Sequence, residues 1–495
     1  MNIKLENIGI IKNSSIQLDG LTVITGQNNS GKTTVGKVIY SLVDSVSNLQ
    51  SKAKIDRQMY IANVLDDVQD NFEIFRLTPN LYSDDSILKK GSAIYALIHD
   101  FRNLKSGFVF PNEWNNIETF SHELRKELIS FNVDSIDEHS VFIKYYNRYA
   151  SNSKNNNSVK NKIKNQINRS VYMLDKLFET LDKDPELIDY ARESINQTLR
   201  VEFANQIQPV RISDPKSKIV VSEDNMLLFA FDISDNKVTN NGKPVFLGVP
   251  YKKAYFIDDP FVLDSPADPY SSVYHRGYAA HALENTTILD SSNILPHASK
   301  LNRTLKNKKG MTVFEETVIS DGLTEIKKKI NEALSGEFEF STDGEYYVKD
   351  GKKLQLTNLA TGSKMFSILK ILIEKGEVDG STLLILDEPE AHLHPSWQNK
   401  FAEIIVLLVK YLNTCVLLTS HSPNFVLAID AYMRKYDIIG KTNFYQTNQL
   451  EDDMVEYVNV NQDMGQIYSD FMQYLSEVKA LRDYYYNGMG DNHDN

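Results

Sequence analysis

Gly26-Gln27-Asn28-Asn29-Ser30-Gly31-Lys32-Thr33, followed by Thr34, is a glycine-framed loop that ends in a lysine and two hydroxyl residues, and its reading decides the fold. The run Leu21-Thr22-Val23-Ile24-Thr25 before it reads as a buried strand. After it, Val35, Val38, Ile39 and Leu42 recur at helical spacing. A strand, a glycine turn and a helix in that order make a phosphate cradle. Gly26 and Gly31 let backbone N–H groups point inward, and the helix N-terminus adds partial positive charge. Lys32 is placed to reach the β and γ phosphates of a nucleotide and Thr33 to hold magnesium, with Asn28, Asn29, Ser30 and Thr34 completing the loop.

The matching acidic element stands far downstream. Leu383-Leu384-Ile385-Leu386 is an apolar strand ending in Asp387-Glu388-Pro389, and Asp387 lies 355 residues after Lys32. A carboxylate at the C-terminal end of a buried strand suits the same magnesium as Thr33. Glu388 beside it is placed to orient and deprotonate an attacking water. So wide a gap predicts one nucleotide site assembled from two distant parts of the chain around a large insertion.

Between these parts the pattern is helical from about 51 to 208, with apolar positions such as Ile61-Leu65, Leu124-Leu128, Val171-Leu174-Leu177 and Leu187-Ala191-Ile195-Leu199. Strands return at 218–221 and 226–231, before an Asn240-Asn241-Gly242 turn, and at Ala254-Tyr255-Phe256-Ile257, which ends in Asp258-Asp259. A hairpin over 337–348 leads to Leu359-Ala360-Thr361-Gly362-Ser363-Lys364, a turn that opens a helix with Met365, Ile368, Leu369 and Leu372 on one face. A helix over 396–412 and the strand Cys415-Val416-Leu417-Leu418-Thr419 follow, then Ser420-His421-Ser422-Pro423.

Composition narrows the class. The chain has 495 residues, 41% hydrophobic, which suits two or three globular domains. No apolar run is long enough for a membrane span and the N-terminus carries no signal-peptide pattern, so a cytoplasmic protein without membrane contact is expected. The single cysteine, Cys415, excludes an internal disulfide framework and sits in strand context. Net charge is −12, so any nucleic-acid contact must be local. One stretch, 140–174, carries Lys144, Arg148, Lys154, Lys160, Lys162, Lys164 and Arg169 without an acidic residue, and interleaves Tyr145, Tyr146 and Tyr149. That alternation suits a phosphate-tracking surface, and equally a solvated face. His392 and His394 beside Glu390 invite a metal reading, but no third ligand stands out.

Together these motifs resemble the ABC-type ATPase head, with Walker A at 26–33, signature turn at 359–364, Walker B at 383–388 and a switch histidine at His421. The wording Glu388-Pro389-Glu390-Ala391-His392-Leu393-His394-Pro395 and Thr419-Ser420-His421-Ser422-Pro423 is similar to the OLD/RecF/SMC-like group. Residues 358–364 with Trp397-Gln398 are most similar to anti-phage defence ATPases, PtuA of Septu and retron systems, with AriA of PARIS a near relative. The resemblance implies an α/β fold, an ABC-type P-loop ATPase head split by a large, mainly helical insertion. It implies ATP and Mg2+ as ligands, Lys32, Glu388 and His421 as catalytic residues, and Thr361, Gly362 and Ser363 acting on a second copy's nucleotide.

A homodimer or higher homo-oligomer is therefore expected. The implied organisation is 1–50 and 210–445 for the head, 51–209 for a coiled-coil-like insertion, and 446–495 for a C-terminal docking segment with apolar positions Ile467, Phe471, Leu475 and Val478. The expected role is gating of a separate effector nuclease, HNH of the PtuB type or TOPRIM of the AriB type. Two alternatives stand beside it: an AriA-like scaffold that sequesters a toxin nuclease, and a RecF-like DNA-repair ATPase that contacts DNA directly. Only 74 residues follow His421, with no Asp-x-Asp strand end, so no in-chain nuclease is expected. Ala360 replaces the usual signature serine, and Asp258 and Asp259 stand where a Q-loop glutamine is expected.

Overall fold

The five-residue strand β3 (Leu21–Thr25) is buried at every position, which requires neighbours on both edges and cover on both faces. In the computed structural model those edges are taken by β12 (Cys415–Ser420) and β13 (Thr442–Gln449), both parallel to β3. Beyond β12 lie β11 (Thr382–Asp387) and β7 (Lys253–Ile257), also parallel. The structure describes residues 1–71, 117–135, 156–183, 186–213, 215–239, 248–265, 295–307, 321–341, 344–450 and 452–488. The sequence readings at 72–116, the cationic and tyrosine positions 144–154, and the 240–242 turn lie outside them.

The remaining strands extend the sheet on the β13 side. They are β1 (Asn2–Ile8), β2 (Ile11–Gln17), β4 (Ser217–Glu223), β5 (Met226–Ser234), β6 (Lys237–Thr239) and β14 (Val455–Asn459). The full order is β6-β5-β4-β1-β2-β14-β13-β3-β12-β11-β7. A parallel half, which holds the phosphate loop, thus continues into an antiparallel half. A separate three-stranded sheet comprises β8 (Glu337–Ser341), β9 (Gly344–Lys349) and β10 (Lys352–Gln355).

Period-two alternation along the buried strands feeds two cores. Leu384, Leu386, Val416 and Leu418 pack with α8 (Thr361–Glu374), α9 (Pro395–Leu412) and α10 (Pro423–Lys435). Leu383, Ile385, Cys415 and Leu417 pack on the opposite face with α1 (Lys32–Val46), whose Val35, Val38, Ile39 and Leu42 form the expected stripe. Cys415 is a buried strand residue as read from its neighbours, and burial pushes its thiol up to about 11. Gly36 lets α1 approach the sheet, since a Cβ there would lie 3.1 Å from the Phe256 ring.

The chain divides into two compact units, Met1–Leu49 with Ile188–Asn495, and Gln50–Leu187. In the second, the described elements are α2 (Leu49–Asn71), α3 (Ile117–Ser130) and α4 (Asn156–Leu181), with one short 3-10 turn. There α3 packs on α4 through His122 stacked on Phe178 and Arg125 bonded to Asp175 at 2.5 Å. Two expected boundaries move. Helix α5 (Leu187–Glu202) buries Ala191, Ile195 and Leu199 in the same core as α1, so the chain re-enters the first unit near 188 and not at 210. A boundary at 446 would cut β13, and β14 belongs to the main sheet. The segment left beyond it is α11 (Gly465–Gly488), with Ile467 buried and Val478, Leu481, Tyr484 and Tyr486 exposed.

β13 also explains Gly26. A Cβ at Gly26 would meet the Thr447 side-chain carbons at 2.8 Å, so the phosphate loop starts against a strand the sequence reading omitted. Gly26→Ala is expected to lower stability by about 1–3 kcal/mol through overpacking. Adding Thr447→Gly should recover much of that loss. Chemical denaturation of the single and double variants checks the coupling; additive losses would refute it.

Candidate nucleotide site

The parallel register decides the site. Ser420 pairs with Thr25 and Asp387 with Thr419, so the ends of β3, β12 and β11 lie side by side at one edge of the sheet. From the first end springs the phosphate loop. Asn29 (φ 62°) and Gly31 (φ 75°) both adopt left-handed backbone, the geometry that turns successive N–H groups into one concavity. Ser30 Oγ is buried without a hydrogen-bond partner, while the Ser30 carbonyl accepts from Tyr457 Oη at 3.1 Å. An orphaned hydroxyl inside an N–H cradle fits an anionic phosphate oxygen.

Lys32 is 4% exposed and donates to the carbonyls of Gly26 (3.0 Å) and Gln27 (2.8 Å). Its Nζ also lies 3.1 Å from Glu388 Oε1. Thr33 Oγ1 donates to Asp387 Oδ2 at 2.5 Å, and Thr419 Oγ1 donates to the other carboxylate oxygen. The structure therefore brings together a hydroxyl and a carboxylate that sequence separates by 354 positions. Burial pushes the Asp387 carboxyl up, against the two threonine hydrogen bonds; the neighbouring charges of Glu388 and Asp258 push the same way as burial. A carboxylate so placed gains most from a bound cation. Thr33 and Asp387 are the residues that could hold magnesium, and the excess of acidic oxygen fits that hard ion.

Glu388 has left-handed backbone (φ 48°), a conformation that costs a non-glycine residue. Its N–H is bound twice, to the Thr419 carbonyl and to Thr419 Oγ1, both at 3.1 Å. This turn points Glu388 into the site, where His421 Nδ1 stands 3.1 Å from Oε2. Next to it Glu390 is 1% exposed and receives the Ser420 hydroxyl; burial drives its carboxyl up.

The 361–363 turn opens α8, and a Cβ on Gly362 would touch the His392 carbonyl at 3.0 Å and Leu393 at 3.3 Å. Its brace is Lys364, which bonds Asp264 at 2.6 Å from beneath Phe261. His394 caps α9 through Nδ1 and Ser396, and among the described residues no group of three metal-ligating side chains forms. The Asp258 carboxylate lies 3.0 Å from His297 Nε2, at the start of α6 (His297–Lys306), and His297 Nδ1 lies 2.6 Å from Glu202 Oε2.

Thr419, Tyr457 and His297 were not anticipated as site residues. Thr419 had a usable signal, a hydroxyl directly before Ser420-His421. Tyr457 and His297 had none, because their partners lie 427 positions away for Tyr457 and Ser30 and 95 positions away for His297 and Glu202.

The parallel sheet, the nest-like loop, the Thr33–Asp387 pair and the Glu388–His421 pair together form the nucleotide site of a P-loop ATPase. Residues 1–426 match the AAA_15 family, AAA ATPase domain, and the chain belongs to that family. Among solved structures it is similar to the SMC head domain from Thermotoga maritima, at 10% identity over 93% of this chain and 98% of that one, with TM-score 0.33. A second is the SmcHead bound to the C-winged helix domain of ScpA, at 10% identity, 94% and 98% coverage and TM-score 0.38. No curated protein matches the chain. Among the described residues no helix is long and apolar enough to cross a membrane.

The His297 cluster has a measurable consequence. Burial lowers the imidazole, but hydrogen bonds and charge from Asp258 and Glu202 outweigh it and raise it to about 9 from 6.5; Lys37 and Tyr40 also face the cluster. A raised histidine stabilises the fold fully below its unfolded value and loses that contribution as pH climbs through the folded one. Stability should fall by on the order of 2–3 kcal/mol between pH 6.5 and 9 from this group. Urea denaturation across that window checks it, and His297→Gln should flatten the slope.

Proposed function

We propose that two copies of this chain close around MgATP and that the closed dimer gates a separate effector nuclease in bacterial anti-phage defence. The observation that carries the reading is the convergence of Lys32 and His421 on Glu388, each 3.1 Å from one of its oxygens. A γ-phosphate gripped by Lys32 lies within reach of both. Glu388 then accepts a proton from the attacking water, and His421 contacts the phosphate oxygens and registers their loss. Thr33 and Asp387 hold magnesium, which neutralises charge on the phosphoryl group when bound. Gly26, Asn28, Asn29, Ser30, Gly31 and Thr34 line the phosphates. Thr361, Gly362 and Ser363 offer the unpaired N–H groups of the α8 N-terminus to the other copy's nucleotide.

Support for the effector role is the resemblance of the motif wording to defence ATPases. A second reading, direct contact with nucleic acid, is favoured by α4, where Lys162, Lys164 and Arg169 are exposed in a stretch without acidic residues. It predicts DNA binding that weakens steeply with salt and is lost when Lys160, Lys162 and Lys164 are neutralised.

Lys32→Ala should abolish ATP binding in a fluorescent-nucleotide titration. Glu388→Gln should lower turnover by roughly 10²–10⁴-fold and hold an ATP-dependent dimer visible by light scattering; unchanged turnover overturns the assignment. In cells carrying the chain with its neighbouring genes, Lys32→Ala should erase protection from phage. Wild-type cells without protection would remove the defence role.

A further inference from the structure

We infer that His297 is a positioning residue for the ATPase reaction, clamping the Asp258 carboxylate beside Asp387 through an ionic cluster anchored on Glu202. The inference rests on the ATPase reading above. Ile257 pairs with Leu386, so Asp258 and Asp387 are the next residues on adjacent parallel strands. Two carboxylates so close repel, and a free Asp258 side chain would turn away. It is held instead by an imidazole with carboxylates on both sides. Nε2 faces Asp258 at 3.0 Å and Nδ1 faces Glu202 at 2.6 Å, while the His297 N–H donates to the other Glu202 oxygen at 2.8 Å. Nδ1 is hydrogen-bonded to Glu202, while Nε2 approaches Asp258 as a buried charge pair without hydrogen-bond alignment.

The surroundings leave the ring little freedom. It lies 4.5 Å from the Phe256 centroid and meets Tyr40 edge-on at 5.8 Å. α6 is tied to the phosphate-loop helix by Lys300 and Asp44 at 2.5 Å, and Lys37 of that helix donates to the Glu202 carbonyl at 3.1 Å. Four elements, α1, α5, α6 and β7, therefore meet at this one cluster.

A merely structural account fits poorly. His297 is the first residue of α6, where the helix dipole disfavours a cation, and buried ionic groups stabilise less than apolar ones of the same size. What the arrangement supplies is a fixed acceptor. The Asp258 side chain stays 29% exposed, so it can order water at the edge of the site where a glutamine was expected from the resemblance. Glu202 is the last residue of α5, the helix by which the chain returns from residues 50–187. The clamp thus ties that return to the nucleotide site.

The test compares wild type, His297→Gln, Asp258→Asn and the double variant His297→Gln with Glu202→Gln, which removes the excess buried charge and protects the fold. Turnover, its dependence on magnesium concentration and fluorescent-ATP affinity are measured on each, with Lys32→Ala as control. We expect turnover roughly 10–100-fold lower and a several-fold higher magnesium requirement in all three variants, with nucleotide affinity unchanged within about twofold. A folded double variant with wild-type turnover and magnesium response overturns the inference. So does a loss of turnover that tracks the unfolded fraction while the magnesium response stays put. If Lys32→Ala matches wild type, the ATPase reading itself fails; if Lys32→Ala is inactive while the His297 variants are normal, only the clamp does.

Discussion

The parallel pairing of β3, β12 and β11 is the constraint on which the rest depends. It closes a gap of more than 350 residues and sets Thr25, Ser420, Thr419 and Asp387 at one edge of the sheet. Closing so long a loop is less costly than its length suggests, because the entropy grows only with the logarithm of the number of residues. The offset comes from strands that are buried on both faces. Leu383 to Leu386 are inaccessible, and they divide alternately between the two cores. The insertion can therefore be large while the site keeps a register set by strand pairing and burial on both faces.

Charge is the second organising feature. Asp387, Glu388, Glu390 and Asp258 crowd the C-terminal ends of β11 and β7, and burial pushes two of them, Asp387 and Glu390, above the usual carboxylate range. Each is restrained by a different device. Asp387 has two threonine hydroxyls, Glu390 has Ser420, Glu388 has Lys32 and His421, and Asp258 has His297. Hydroxyl donors hold a carboxylate without neutralising it, so the site keeps an appetite for a cation. The left-handed turn at Glu388 belongs to the same logic: Thr419 holds both the Asp387 carboxylate and the Glu388 N–H, so one residue orients two acids.

Legibility followed the range of the interactions. The phosphate loop, the β11 acid pair and the α1 stripe were readable because strand, turn and helix signals sit within about twenty residues of one another. β13 and β14 carry little local strand signal. Their sequences, Thr-Asn-Phe-Tyr-Gln-Thr-Asn-Gln and Val-Glu-Tyr-Val-Asn, are polar on one side and gain their identity only by pairing with β3 and β2. The sequence groups helix α5 with the insertion because helical periodicity says which face is apolar and not which core receives it. Its Ala191, Ile195 and Leu199 go to the core shared with α1.

By itself the sequence determined the chemistry of the loop, the acid pair and the strand and helix types around them, since glycine freedom, lysine reach and apolar period are local properties. Tertiary structure decided which distant residues serve that chemistry. Thr419 as the arm of Asp387, Tyr457 as the support of Ser30 and Glu202 as the anchor of His297 exist only after the sheet has ordered its strands. The reason is physical: a side chain's partner in another element, whether 32 or 427 positions away, is chosen by strand register and helix packing, and neither is written in any one segment.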